Sequence, residues 1–212
     1  MNDSILNHTS ENEYFHYLEG LDKETLLNEF YACHRLKKAI EARTDKLCRA
    51  VYNHYCSLLV DFDCEDITRF DYYLMRLLLR FELFVKRQFR YINELHDFYD
   101  PKPIRSIKPS AYLNSSSVIR IYSETMDAFR RLERIVCSMD EKINMWMYFL
   151  YNKRDIPEVF KTEECRKKAC MVRADGSYDF KYQLELVYKE LVCIIENEMN
   201  CDISFFREKG DN

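Results

Sequence analysis

Between Asp66 and Tyr99, apolar residues recur at steps of three and four: Ile67, Phe70, Leu74, Leu77, Phe81, Phe84, then Leu95 and Phe98. That spacing predicts an amphipathic α-helix. The stretch contains neither Gly nor Pro. Asp63 can cap its start, and Asp66 sits where a carboxylate favours a helix N-terminus. Pro101 and Pro103 end it. At 1.5 Å per residue the helix would be roughly 50 Å long, which is long for a small domain.

At about 100° per residue this helix has more than one apolar line. The main stripe is Phe70, Leu74, Leu77, Phe81 and Phe84. Arg69, Arg76, Arg80 and Arg87 fall in a narrow band elsewhere, and beside that band lies a second, smaller strip of Tyr72, Leu79 and Leu83. One reading is an exposed Arg-rich face with scattered apolar residues, which is common. The other is a central helix packed on one side by its own chain and on the other by a second protein.

The rest of the chain reads around this helix. Residues 1–20 are polar and expected to be a loose N-terminal segment. Leu21–Leu36 predicts a first helix with Leu26, Leu27, Phe30 and Tyr31 on one face. Arg43–Asp61 predicts a second, with Leu47, Val51, Tyr55, Leu58 and Leu59 inward; whether the two join through Lys38 and Ile40 stays open. Asp100–Ser110, punctuated by Pro, is a connector. Ser115 or Ser116 can cap a helix running to Cys137, with Val118, Ile121, Tyr122, Met126, Phe129, Leu132 and Val136 as its core face. After Asp140 the texture changes. Met145–Tyr151 is a short apolar and aromatic run that predicts a buried strand. Pro157–Phe160, Ala169–Arg173 and Ile203–Phe206 are further strand candidates, and Asp175-Gly176 is a turn signal. Phe180–Glu198 predicts a helix with Leu184, Val187, Leu191 and Ile194 in register. The expected fold is mainly α: a helical bundle with a long central helix over residues 21–140, then a small α+β domain over 141–212.

Composition narrows the chemistry. The 212 residues are 47% hydrophobic, enough for one core of ordinary size or a main domain plus a small one. Only three Gly and four Pro argue for long helices and against a Gly-rich phosphate loop. A formal net charge of -4 carries no global signal for nucleic acid, although the Arg band is a local one. No run is apolar enough to span a membrane, and the N-terminus lacks the basic start and apolar core of a signal peptide. Nine Cys, mostly at apolar helical positions such as Cys33, Cys48, Cys56, Cys137 and Cys193, read as buried thiols in a reducing compartment. Cys165 and Cys170 have no second Cys or His pair beside them, so no metal site is expected. The histidines, His8, His16, His34, His54 and His96, are dispersed, and no catalytic set assembles. One enzyme signal stands apart. Arg90 and His96 resemble the Arg–His spacing of the helical ribonucleases of the HEPN class, where His serves as acid or base and Arg steadies phosphate charge. The plain alternative is two surface cations near a helix C-terminus, where cations are favoured anyway.

The segment Leu74-Met75-Arg76-Leu77-Leu78-Leu79-Arg80-Phe81-Glu82-Leu83 resembles a central-helix pattern of the GINS complex, specifically its Sld-five-type subunit: aliphatic, x, Arg, x, Tyr, Leu, Arg, x, Arg, Leu. Arg76, Leu79, Arg80 and Leu83 match. Leu78 stands for the aromatic and Glu82 for the last Arg; the family's Lys-Ile-Glu continuation is replaced by Val85-Lys86-Arg87. Downstream, a Ser-led helix, the run Tyr148-Phe149-Leu150-Tyr151 and the turn Gly176-Ser177 follow the family's order, with the Psf-one-type sister as the next candidate. The resemblance implies a non-enzymatic nuclear scaffold, without cofactor, in the four-subunit assembly that supports the replicative helicase in DNA replication. Its partners would be the other GINS subunits, the Mcm ring and the Cdc-type helicase activator, with any DNA contact indirect and no membrane. Tyr72, Arg76, Leu79, Arg80 and Leu83 are the expected partner-interface residues. Alternatively Arg76 and Arg80 pair with acids of this chain such as Glu41 or Asp45. An unrelated helical adaptor and the ribonuclease remain the rival classes.

Overall fold

The structure is a computed structural model that describes residues 10–95, 108–109, 111–151 and 179–199. Among these residues the secondary structure is helical and contains no strand. The helices are α1 (Glu11–Glu19), α2 (Lys23–Val60), α3 (Ile67–Glu94), α4 (Ser115–Tyr151) and α5 (Phe180–Met199).

Each helix starts on a short polar side chain that accepts from an otherwise unpaired backbone N–H. Ser10 Oγ takes Glu13 N at 3.2 Å, and Asp22 Oδ1 takes Thr25 N at 2.8 Å. That bond holds the Asp22 carboxyl below the usual carboxylate range. Asp66 Oδ1 takes Arg69 N at 2.8 Å, so the cap of α3 is Asp66, three residues beyond the expected Asp63. Asn114 takes Ser117 N at 3.0 Å, displacing Ser115 and Ser116 from that role. Asp179 takes Tyr182 N at 3.1 Å.

Several expectations are corrected. Residues 11–19, placed in a loose segment, form α1, whose Tyr14 and Leu18 are buried. The two predicted N-terminal helices, whose joining the sequence left open, are one. Ile40 is buried at the proposed junction and no Gly or Pro interrupts the run, so extending the helix costs less than starting another. Met145–Tyr151 is not a strand but the last two turns of α4. Buried Ile135, Val136, Met139 and Ile143 carry the three-and-four spacing straight past Asp140, where the helical domain was expected to end. The apolar run that follows is only partly covered, with Tyr148 and Tyr151 exposed. A small domain with a sheet built on Met145–Tyr151 is therefore absent from the described residues. The other strand candidates, the Asp175-Gly176 turn, and Phe98, His8, His96, Cys165 and Cys170 lie outside them. Nor are all the helical thiols buried: Cys33 and Cys48 are, but Cys137 and Cys193 are exposed.

The chain divides into two compact units, one of Met1–Lys46 with Gln88–Arg134 and one of Leu47–Arg87 with Ile135–Asn212. The first unit is organised by a buried polar knot. Tyr14 Oη donates to Glu29 Oε2 at 2.7 Å and lies 3.8 Å from Cys33 Sγ, while Tyr17 Oη reaches Glu29 Oε1 at 3.5 Å. Burial, followed by Cys33 and Glu29, raises the Tyr14 phenol far above its usual range, and burial pushes the Cys33 thiol up to about 12. Tyr122 of α4 packs on Tyr14 with ring centroids 4.3 Å apart, and Thr125 Oγ1 donates to Ile121 O at 2.6 Å. A buried carboxylate is tolerable only with such partners.

The second unit is held by aromatic pairs around an aliphatic core. Tyr55 stacks on Tyr188 at 3.9 Å with an interplanar angle of 9°, and Phe70 stacks on Phe180 at 5.0 Å. The buried face of α5 is Leu184, Val187, Tyr188, Leu191, Val192 and Ile195. It follows the expected register except that Ile195, not Ile194, completes it. Trp146 Nε1 donates to Glu190 Oε2 at 2.9 Å, tying the end of α4 to α5.

The continuity of α4 has a direct test. Glu141 is exposed, so Glu141→Pro changes the backbone and little else. In a linker it would be neutral; in a helix interior it is expected to cost about 3 kcal/mol or more in urea unfolding.

Candidate functional site

Helix α3 has 28 residues and spans about 42 Å. Its inner line, Phe70, Leu74, Leu77, Leu78, Phe81 and Val85, is buried. At about 100° per residue, this line centres about 180° from the strip Tyr72, Leu79 and Leu83. The strip lies open, with relative exposures of 63%, 40% and 60%. Both apolar lines foreseen on the central helix therefore exist, one in the core and one in solvent.

The Arg band runs beside the strip and is anchored only in part. Arg76 Nη1 lies 3.7 Å from Asp61 Oδ2, a solvent-exposed pair of the kind that contributes little to stability. Arg80 Nη1 donates to Ser57 Oγ at 2.6 Å. Ser57 lies in the last turn of α2, and the acid that reaches Arg76 is Asp61, just beyond the helix end. Lys86 pairs with Glu82 one turn earlier, which raises the Lys86 ammonium pKa. Arg69, Arg87 and Arg90 are exposed and their guanidinium groups have no ion pair among the described residues.

Beneath the band, His54 of α2 packs edge-on against Phe81 and Phe84, with ring centroids 5.8 and 6.2 Å away. Burial, reinforced by the Arg80 charge, lowers its pKa below the ordinary imidazole value. His34, against Phe30 and near Lys37 and Lys38, is lowered for the same two reasons. Glu124 and Glu41 act on the His34 ring only at a distance, and among the described residues no carboxylate is hydrogen-bonded to either ring to orient it as a general base. Arg90 is exposed, and His96, the other half of that pair, lies outside the described residues.

At the N-terminal end of the strip, an open cavity of about 460 Å³ is lined by Asp63, Thr68, Arg69, Tyr72 and Tyr73. Tyr73 holds the Tyr72 ring edge-on at 5.7 Å and itself packs on Phe62 at 5.4 Å. The strip thus ends in an aromatic corner that sequence reading did not identify. The Tyr72-Tyr73 doublet in the first turns of α3 was its signal. A second groove, of about 310 Å³, lies between Ala39, Ala42, Arg43 and Lys46 of α2 and Tyr91, Glu94 and Leu95. There the Arg43 guanidinium carbon lies over the Tyr91 ring, 3.4 Å from its centroid. Among the described residues no group of His, Cys, Asp and Glu is arranged to hold a metal ion, and no helix is long and apolar enough to cross a membrane.

Compared with family models, with curated proteins and with solved structures, the chain finds no match.

Two predictions follow from this geometry. Phe81→Asp puts a charge where the side chain is 0% exposed and is expected to unfold the protein, costing at least about 4 kcal/mol. Leu79→Asp, on the open side, should cost about 1 kcal/mol or less in the same melt. Equal losses would place Leu79 in the core. The histidines set the second. Both have depressed folded-state pKa values, so the unfolded chain binds more protons just below the ordinary imidazole pKa near 6.5. Stability is therefore expected to fall as pH drops from 7 through 6.5, and His54→Gln should flatten part of that fall in thermal melts.

Proposed function

We propose that this protein is a non-enzymatic helical scaffold whose working surface is the outer face of α3, with Tyr72, Arg76, Leu79, Arg80 and Leu83 in contact with a partner. One observation carries the reading: an apolar line is left open on a helix whose opposite side is already in the core. Lone exposed apolar residues are ordinary, but three on one helix line bordered by arginines have the make-up of an interface. Aromatic, Leu and Arg side chains are also common anchors at protein interfaces.

In its specific form the proposal is a GINS subunit of the Sld-five type, nuclear, acting with the other GINS subunits, the Mcm ring and the Cdc-type activator in assembling the replicative helicase. Its support is the Leu74–Leu83 motif, of which Leu79 and Leu83 lie on the open line and Arg76 and Arg80 on its border. The strand motif sought at Tyr148–Tyr151 gives no support, since those residues are helical. That same observation favours, as the second reading, a helical adaptor of another family using the same surface.

Mass spectrometry of the native protein purified with its partners separates the two. The specific form expects three further subunits in equal amount; a different stable partner would indicate the second reading. A protein recovered alone, monomeric at high concentration, would contradict both. No metal-independent cleavage of single-stranded RNA is expected, and cleavage abolished by His96→Ala would replace the scaffold with a nuclease.

A further inference from the structure

Resting on the scaffold reading, we propose that the outer face of α3 seats an acidic amphipathic helix from a different polypeptide. The residues on this face are Tyr72, Arg76, Leu79, Leu83 and Lys86, which recur at alternating steps of four and three. That alternation keeps side chains in one line facing a partner helix and defines the seam of a two-helix pairing. Over these 15 residues the seam is about 21 Å long, four turns of helix. Arg69 extends it by one position toward the cap, where the cavity beside Tyr72 and Tyr73 can take a large apolar side chain.

Charge selects the occupant. From Ile67 to Glu94 there are six basic and three acidic residues, in a chain whose net charge is -4. Four of these cations lie within or beside the seam: Arg76 and Lys86 in it, Arg80 and Arg87 along one flank. Only Arg76 and Lys86 meet carboxylates, Asp61 and Glu82, among the described residues. A second copy of the chain would set this cationic line against itself and be repelled. A helix with apolar residues at the seam and Glu or Asp beside them would cover Tyr72, Leu79 and Leu83 and neutralise the arginines together.

The test uses the full chain and two synthetic three-heptad helices with the same Leu seam, one flanked by Glu and the other by Lys. The Glu-flanked peptide is expected to bind at least about tenfold more tightly in fluorescence anisotropy, and to weaken as salt is raised. Arg87→Glu should reduce that preference at least about fivefold, because it opposes like charges across the seam. Leu83→Ser should weaken both peptides. Both positions are exposed, so wild-type melting temperatures are expected for the two variants. Equal binding of both peptides, binding of neither, or a preference unaltered by Arg87→Glu would overturn the proposal. So would a stable homodimer, in sedimentation, that Leu83→Ser dissolves. Native partners retained by both variants would overturn the seam while leaving the scaffold reading intact.

Discussion

A helix has one rotation about its axis, and the core fixes it for α3. Burial of Phe70, Leu74, Leu77, Leu78, Phe81 and Val85 contributes about 1.5–3 kcal/mol for each large side chain. No alternative rotation buries a comparable set. With that line inward, the positions on the far side have to face out, whatever their chemistry. Tyr72, Leu79 and Leu83 are therefore open because the core requires it. Their apolar character is the part that folding of this chain alone does not account for. Arg76 and Arg80 are steered to the border of the same face, reaching Asp61 and Ser57.

The two compact units solve burial differently. In the first, a carboxylate has been taken inside, and Glu29 is tolerated because Tyr14 and Tyr17 supply hydroxyl donors and Tyr122 closes over the knot. The arrangement also explains why a short helix as polar as α1 is ordered: Tyr14 and Leu18 are its anchor. In the second unit the polar contacts are peripheral, and flat aromatic stacking at Tyr55–Tyr188 and Phe70–Phe180 does the equivalent work.

Much of this was legible in residue spacing. Both lines of α3 apart from half-buried Phe84, the core face of α4 from Val118 to Val136 apart from half-buried Met126, and most of the buried face of α5 follow from steps of three and four. Spacing failed where it had no contrast to read. Met145–Tyr151 is apolar at nearly every position, so period could not separate strand from helix there, and length alone suggested the wrong one. The decisive fact lay upstream, in the unbroken register of Val136, Met139 and Ile143. The caps were misplaced because several Asx and Ser residues compete within a few positions. Only geometry selects Asp66 over Asp63, or Asn114 over Ser115. Helix α1 was missed because its two buried residues sit in a polar background whose partner, Glu29, is itself an acid. Cys137 and Cys193 show the opposite error, apolar residue types at positions that the helix turns outward.

The claim that most needs testing is that the open line of α3 is covered in the working state. Hydroxyl-radical footprinting of the full chain, alone and in its native complex, reads this at single side chains. If the outer face is the docking surface, Tyr72, Leu79 and Leu83 lose reactivity in the complex, while exposed Tyr112, outside α3, keeps its own. Undiminished labelling of Tyr72, Leu79 and Leu83 in a complex that protects other residues would show that the partner binds elsewhere and that the outer face of α3 is only surface.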